Sequence, residues 1–337
     1  MKKQTILFFY LVTGFANANI SDTNGKNEIP NAKSKPSEYR AEELKRREQA
    51  KLENTRKASE SKISLLENLV KKGDPVAEYQ LGLLYLNGYG VTQNYDQAFD
   101  LIKKSSEKKN KVAQYNLGLL YEMGKGVTQD YSKAMALYIE SANQGFSMAQ
   151  YAIGTMYKNG EGVNRSNEQA VIWFTKAANQ GLDLAQYTLG LMAYEGVEGN
   201  RDYVQARTWL EMAAQQKNTH AENLLGLMYA NGEGVSQDFT KAHQLYLMAA
   251  NKGDADAQNN IGDLYDNGKG IKKDYFKAFE WYSKAAEQGN TAAQYNLGFM
   301  YEKGNGVKED KEKALEWYLL AALQGDSDAG AALKRLK

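Results

Sequence analysis

The sequence has no cysteine, only three prolines and only two histidines in 337 residues. Without cysteine the chain can form no disulfide and has no thiol nucleophile. Zinc and similar metals are held mainly by cysteine and histidine, so the composition predicts no such metal site. Proline interrupts helices, and its scarcity permits many uninterrupted ones. We expect no catalytic residue, no bound metal and no cofactor.

The sequence also lacks an excess of either positive or negative charge. The 42 basic and 41 acidic residues give a net charge of +1. A dedicated nucleic-acid binder normally carries a basic face, so we predict that the partner is not a nucleic acid. Thirty glycines indicate many helix ends, and 23 tyrosines supply material for a large core.

The first eighteen residues have the pattern of a secretion signal. Lys2 and Lys3 precede an apolar stretch over 5–15, and Ala16-Asn17-Ala18 is a small-residue cleavage pattern. The apolar stretch is short for a membrane span. We therefore predict a signal peptide over 1–18, export to the periplasm or, as the alternative, secretion, and no stable membrane insertion after cleavage.

Two polar segments follow the signal. Residues 19–37 are rich in Asn, Ser, Lys and Asp, which predicts a flexible linker. Residues 38–60 mix acidic and basic side chains at helical spacing with few large apolar ones, which predicts a solvated helical segment. Whether this segment is a docking arm or a plain spacer stays open.

From residue 61 to 337 small residues recur every 36 positions, which indicates a repeat array. One column is glycine: Gly82, Gly118, Gly154, Gly190, Gly226, Gly262 and Gly298. Another is alanine: Ala77, Ala113, Ala149, Ala185, Ala221, Ala257, Ala293 and Ala329. No insertion disturbs the register.

Each unit predicts two helices. Ala113, Leu117 and Tyr121 lie on one helical face, and Gly124 can end that helix in the left-handed conformation. Asp130 then begins a second amphipathic stripe. Its column interchanges residues that accept bonds from free N–H groups at a helix start, which favours helix capping over catalysis. The column reads Asn94, Asp130, Ser166, Asp202, Asp238, Asp274 and Asp310.

Three local features refine this prediction. Glycine is unfavourable inside a helix, so its recurrence in the first helix predicts a close approach of the second. Residues 61–73 and 329–336 indicate incomplete units that cap the array. The unit containing Gly196 and Gly199 is irregular, so its turn should differ.

The segments at 113–121, 124–127 and 277–286 closely resemble the Sel1-like repeat family, which is related to the tetratricopeptide repeats. The resemblance implies an all-α fold: a right-handed α-solenoid superhelix of antiparallel helix pairs, with seven full repeats at about 76–327 and terminal capping helices. It also implies that the concave face holds partner proteins. Exported bacterial members act as adaptors, periplasmic regulators, host-interaction factors or immunity proteins.

The same resemblance places part of each first helix on the concave face. This strip is apolar and aromatic in units one to four and becomes polar in units five and six. It has two interpretations that stay open: a partner-binding groove or packing between units. The candidate binding residues are Val76, Tyr79, Leu83, Leu86, Tyr115, Leu119, Tyr151, Tyr187, Leu191, Asn223, Asn259, Asp263 and Phe299.

Other polar residues have ordinary explanations. Asp256, Asp263 and Asp266 could attract a basic segment or a hard cation, but we favour a solvated face as their explanation. His220 and His243 lie in different helices of one unit and are predicted to be structural or exposed. The Gly-x-Gly turns follow helices rather than strands, so we interpret them as helix ends and not as phosphate loops.

These observations predict a non-enzymatic scaffold or adaptor that binds another protein in its groove. One alternative is an immunity or inhibitor protein that sequesters a secreted toxin or enzyme. A host-directed virulence factor is another, and the partner would then be a host protein. A hydrolase acting on a cell-wall-like substrate is the least supported, since no sequence motif indicates it.

Overall fold

Helices form every regular element in residues 60–196 and 200–336, which are the residues that the computed structural model describes. The signal peptide over 1–18, the linker over 19–37 and all but the last residue of the charged segment over 38–60 lie outside them.

The helices follow one another in pairs, with the first helix of each full repeat carrying an even number. Their bounds are α1 (60–71), α2 (Pro75–Asn87), α3 (Tyr95–Glu107), α4 (Lys111–Met123), α5 (Tyr131–Asn143), α6 (Ser147–Asn159), α7 (Asn167–Asn179), α8 (Asp183–Glu195), α9 (Tyr203–Gln215), α10 (Thr219–Asn231), α11 (Phe239–Ala250), α12 (Ala255–Asn267), α13 (Tyr275–Glu287), α14 (Thr291–Lys303), α15 (Lys311–Leu323) and α16 (Ser327–Leu336).

Every second helix of a full repeat begins at the predicted capping column. Asp130 accepts a hydrogen bond from the backbone N–H of Lys133 at 3.0 Å, and Ser166 does the same from Gln169 at 3.2 Å. All seven members of the column cap in this way. The carboxylates in the column therefore satisfy free N–H groups at a helix start, as predicted.

Glycine ends the first helices, also as predicted. Gly124 follows α4 with φ 66° and ψ 34°, a left-handed conformation that residues with a β-carbon seldom adopt. Gly196 differs, because its ψ is 127° at a similar φ of 82°. The irregular unit thus leaves its first helix by a different turn.

The glycine inside each first helix allows the second helix to approach closely. A β-carbon built on Gly154 would lie 2.6 Å from Cδ1 of Phe174, and one on Gly118 would lie 2.6 Å from Cε1 of Tyr138. The same conflict, at 2.6 to 2.8 Å, occurs in all seven repeats. The predicted close approach is confirmed.

The core runs continuously from one repeat to the next. Phe174 of α7 packs in one cluster with Leu189 and Met192 of α8, which belongs to the following repeat. At the ends, Leu66 of α1 packs with the first repeat and Ala329 of α16 packs with the last. Each helix packs mainly on its neighbours in sequence, which makes this part of the chain an α-solenoid with capping helices.

A polar ladder, which the sequence did not predict, links the two helices of each repeat. In five repeats a glutamine at the end of the second helix donates to a glutamine of the first, thirty residues earlier. The pairs are Gln114–Gln144, Gln150–Gln180, Gln186–Gln216, Gln258–Gln288 and Gln294–Gln324, at 2.6 to 2.8 Å.

In repeats one and five an ion pair replaces the two amides of the ladder. Lys108 lies 2.6 Å from Glu78, and Lys252 lies 2.6 Å from Glu222. The Glu222 side chain is fully buried, whereas that of Lys252 is 34% exposed. A change at Lys252 therefore leaves a buried charge without a partner, which is costly.

We expect Gly154→Ala to lower the free energy of unfolding by roughly 1–3 kcal/mol, because the new methyl group overpacks against Phe174. The matched control is Gly330→Ala in α16, where a β-carbon meets no atom within 4 Å. That change should stabilise by up to about 1 kcal/mol through helix propensity. Denaturant unfolding measures both, and equal effects would contradict the packing explanation.

We expect Lys252→Gln to destabilise the chain by about 3 kcal/mol, because Glu222 then stays buried without its counter-charge. The double variant Glu222→Gln/Lys252→Gln recreates the amide pair of the other repeats and should recover most of the loss. Denaturant unfolding of the two variants makes the comparison. A double variant no more stable than the single one would show that the ladder position does not matter.

Candidate protein-binding surface

Hydrogen bonds join the first helices of neighbouring repeats side by side. Asn116 donates to the Tyr79 hydroxyl at 3.1 Å, and Asn260 donates to Asn223 at 3.0 Å. Both bonds span 37 residues, one repeat plus one position. The predicted binding residues lie along the first helices α2, α4, α6, α8, α10, α12 and α14, and this row of residues is here called the first-helix strip.

The structure divides the predicted binding residues by exposure. Val76 is 53% exposed and Phe299 is 36% exposed. Six others are half-buried: Tyr79, Tyr151, Tyr187, Leu191, Asn223 and Asp263. Five are buried: Leu83, Leu86, Tyr115, Leu119 and Asn259.

The buried members show that packing inside the array accounts for much of the strip in repeats one and two. The ring of Tyr115 contacts Phe146 at a centroid distance of 5.3 Å and Tyr138 at 5.6 Å. Burial raises the pKa of Tyr79 to about 12, so its hydroxyl stays protonated. Partner binding by the strip residues remains a prediction, and the accessible ones are the residues to test.

The polar section of the strip contains two pairs of side-chain amides. Asn223 and Asn259 stand where five of the seven repeats have tyrosine. Asn223 is bonded to Asn260, and Asn259 accepts from Asn296 at 3.1 Å. The two pairs cross successive boundaries, between repeats five and six and between repeats six and seven.

Asp263 lies beside these amides. Its Oδ1 accepts from the Tyr282 hydroxyl at 2.5 Å and from Asn296 at 3.4 Å. Burial raises the pKa of the Asp263 carboxyl, while the bond from Tyr282 opposes that shift. Both bonds use Oδ1, so Oδ2 is the oxygen left to accept a further bond.

A cleft of about 600 Å³ lies between α10 and α12, next to Asp263. Polar and apolar side chains share its lining. The lining residues are Leu227, Ala230, Asn231, Gln237, Phe239, Tyr246, Asn260, Asp263, Leu264, Asn267 and Lys269. Its size falls in the range of ligand pockets, about 300–1,000 Å³.

The cleft already contains a cationic group of the chain itself. The Lys269 Nζ lies 5.7 Å from the centroid of the Phe239 ring, within the range of a cation–π interaction. Lys269 is exposed, and its charge favours the ionised form of Asp263. Sequence reasoning missed this cleft, although a carboxylate at Asp263 in an otherwise apolar or hydroxyl column was a usable signal.

The other predicted carboxylates are separate from this cleft lining. Asp256 accepts from Asn290 at 2.7 Å. Burial raises the pKa of Asp266. No group of three or more His, Cys, Asp or Glu side chains within 60–196 and 200–336 is arranged to hold a metal ion.

The two histidines have opposite environments. His220 Nδ1 lies 3.2 Å from the Asp254 carboxylate, and its ring lies tilted against Tyr187 with the ring centroids 5.6 Å apart. The hydrogen bond to Asp254 raises the pKa of His220. His243 packs edge-on against Tyr265, and burial lowers its pKa. These contacts are structural ones, within and between repeats.

A stack of seven helix pairs, each with a glycine against its second helix, defines this part of the chain as a helical repeat protein. The chain belongs to the Sel1 repeat family. The family model matches seven consecutive segments, 75–110, 111–146, 147–182, 183–218, 219–254, 255–290 and 291–326. The predicted family and all-α solenoid class are confirmed.

Solved structures include two similar proteins. A Sel1 repeat protein from Oxalobacter formigenes is 35% identical with a TM-score of 0.67, over 84% of this chain and 82% of that one. A protective antigen present in uropathogenic Escherichia coli strains, with an SLR fold, is 35% identical with a TM-score of 0.53. That match covers 80% of this chain but 66% of the antigen, just under two thirds.

A comparison with curated proteins finds no significant match. Among the described helices, none has both the length and the apolar character needed to cross a membrane.

The His220–Asp254 contact predicts a pH-dependent stability. The pKa of His220 is raised on folding, so its stabilising contribution is complete below the unfolded pKa of about 6.5. That contribution is lost as the pH rises through the folded pKa. We expect the wild type to exceed His220→Gln in Tm at pH 5.5, and the difference to shrink towards pH 9.

The control for this measurement is His243→Gln. The pKa of His243 is lowered on folding, so neutral His243 favours the folded state and protonation at acid pH opposes it. Relative to His243→Gln, the wild type should lose stability as the pH falls. Thermal unfolding across the pH range measures both, and a pH-independent effect of His220→Gln would contradict the assigned contact.

Proposed function

We propose that this chain is a non-enzymatic interaction protein that binds a segment of another protein on its first-helix strip. The observation that carries the proposal is the polar section of the strip, where hydrogen bonds join repeats five, six and seven beside a cleft of about 600 Å³. A repeat solenoid offers extended surfaces for binding.

The side-chain chemistry supports binding rather than turnover. His220 pairs with Asp254, the cap of α12, and His243 lies against Tyr265. A general base must reach the proton that it abstracts, and these contacts hold both rings in structural roles. The cleft lining contains a single carboxylate, Asp263, whereas hydrolysis of a glycosidic bond generally uses a pair of them.

Export remains part of the proposal. The Lys2-Lys3 start, the apolar stretch over 5–15 and Ala16-Asn17-Ala18 support a signal peptide. We propose the periplasm as the location, with secretion as the alternative.

The identity of the partner decides between three roles, those of an immunity protein, an adaptor and a virulence factor. A toxin or secreted enzyme that loses activity on binding would make the chain an immunity protein. A sensor or envelope component would make it an adaptor, and a host protein would make it a virulence factor.

The accessible apolar residues of the strip provide the test. We expect the triple variant Val76→Glu/Leu191→Glu/Phe299→Glu to lose the partners that the wild type captures from extracts of its own cells, because charged groups oppose burial in an interface. Captured proteins are compared by mass spectrometry. Circular dichroism confirms that the helices remain.

Leu83 and Leu119 are unsuitable for this test, because they are buried and a charge there would unfold the array. The matched control is Ile139→Glu/Ile172→Glu/Val204→Glu, three exposed apolar residues of the second helices. Its partners should be unchanged. Retention by the strip variant, or equal loss by the control, would exclude the strip as the binding surface.

A further inference from the structure

We infer that the cleft between repeats five and six receives a lysine or arginine side chain from an extended segment of the partner. The inference rests on the proposed function and adds the chemistry of the bound segment. The cleft is lined by Asp263, Asn260 and Phe239, which together supply a carboxylate, an amide and an aromatic face.

Asp263 is the anchor. Two donors, Tyr282 and Asn296, hold its Oδ1, so the carboxylate has a fixed orientation and Oδ2 remains to accept a bond. A hydrogen bond between a cationic donor and a carboxylate is about twice as strong as a neutral one. Partial burial also reduces screening by salt, so this single charge can select a cation.

The position of Lys269 shows that a cation fits against the wall of the cleft. The ammonium group of this exposed side chain lies over the Phe239 ring, a wall of the cleft. Phe239 is therefore accessible to a cation on that face. Because Lys269 extends from an exposed turn, a partner cation bound more tightly to Asp263 can displace it into solvent.

The side-chain amides beside the cleft can form hydrogen bonds with the main chain of the partner's segment. A side-chain amide carries a donor and an acceptor, as a peptide unit does. Each amide in the Asn223–Asn260 and Asn259–Asn296 pairs uses only part of this capacity in its cross-repeat bond. Asn259 is buried, so the half-buried Asn223, Asn260 and Asn296 are the amides that can hold the backbone while Asp263 holds one side chain.

The spacing of the repeats determines how many residues of the bound segment correspond to one repeat. Packed helices lie about 8–10 Å apart, and an extended chain advances about 3.3–3.6 Å per residue. One repeat therefore corresponds to about three residues of the bound segment.

The test uses a nonapeptide library with one fixed amino acid at each position in turn, passed over the immobilised complete chain. We expect peptides with Lys or Arg at one position to be retained selectively. Asp263→Asn should reduce that enrichment at least tenfold, although Asn can still accept from Tyr282 and keep the packing. Lys269→Met should increase the enrichment, because the competing cation is removed.

The matched control is Glu280→Gln, an exposed carboxylate on α13 of the same repeat, which should leave the enrichment unchanged. Retention without a basic preference, or a preference that Asp263→Asn leaves intact, would overturn the inference while the first-helix strip could still bind its partner. If Asp263→Asn fails to fold, Lys269→Met provides the test: an increased enrichment of Lys and Arg peptides supports the inference, and an unchanged or reduced enrichment contradicts it. If the variant Val76→Glu/Leu191→Glu/Phe299→Glu keeps its captured partners, that result instead contradicts the proposed function.

Discussion

The close approach of two helices at a missing β-carbon sets the geometry of every repeat. At Gly154 the facing ring of Phe174 occupies the space that any side chain would need, and the same contact recurs in all seven repeats. The distance between paired helices, the burial of the facing side chain of the second helix and the position of the next repeat all follow from it. Interiors packed this closely transmit small changes rather than absorb them.

Much of the fold could be predicted because the repeat places the same residue types at the same steps. Gly124 and Asp130 act locally, through backbone conformation and capping, so the sequence is sufficient to predict their roles. The ladder between Gln114 and Gln144 was missed because it depends on how two helix ends meet thirty residues apart. Spacing along one helix carries no information about that contact.

The sequence predicted where the polar section of the strip lies, but it predicted neither the burial of individual strip residues nor the cleft. The change from tyrosine to asparagine at Asn223 and Asn259 marked repeats five and six as different. Periodicity could not separate exposed strip residues from packed ones, since Leu119 and Leu191 share one column but differ in burial. The volume of the cleft and the position of Lys269 over Phe239 depend on the fit between repeats, which only coordinates give.

The ladder also constrains how such an array can evolve. The Glu222–Lys252 pair lies wholly inside the repeat over 219–254, so duplication or deletion of whole repeats always keeps the two charges together. A crossover in the middle of a repeat would instead join Gln186 to Lys252, or Glu222 to Gln216, and the second combination buries a carboxylate opposite an amide. A crossover between two of the five Gln–Gln repeats keeps the amide pair wherever it falls, so repeats one and five are the ones that this ladder allows to be exchanged only as whole units.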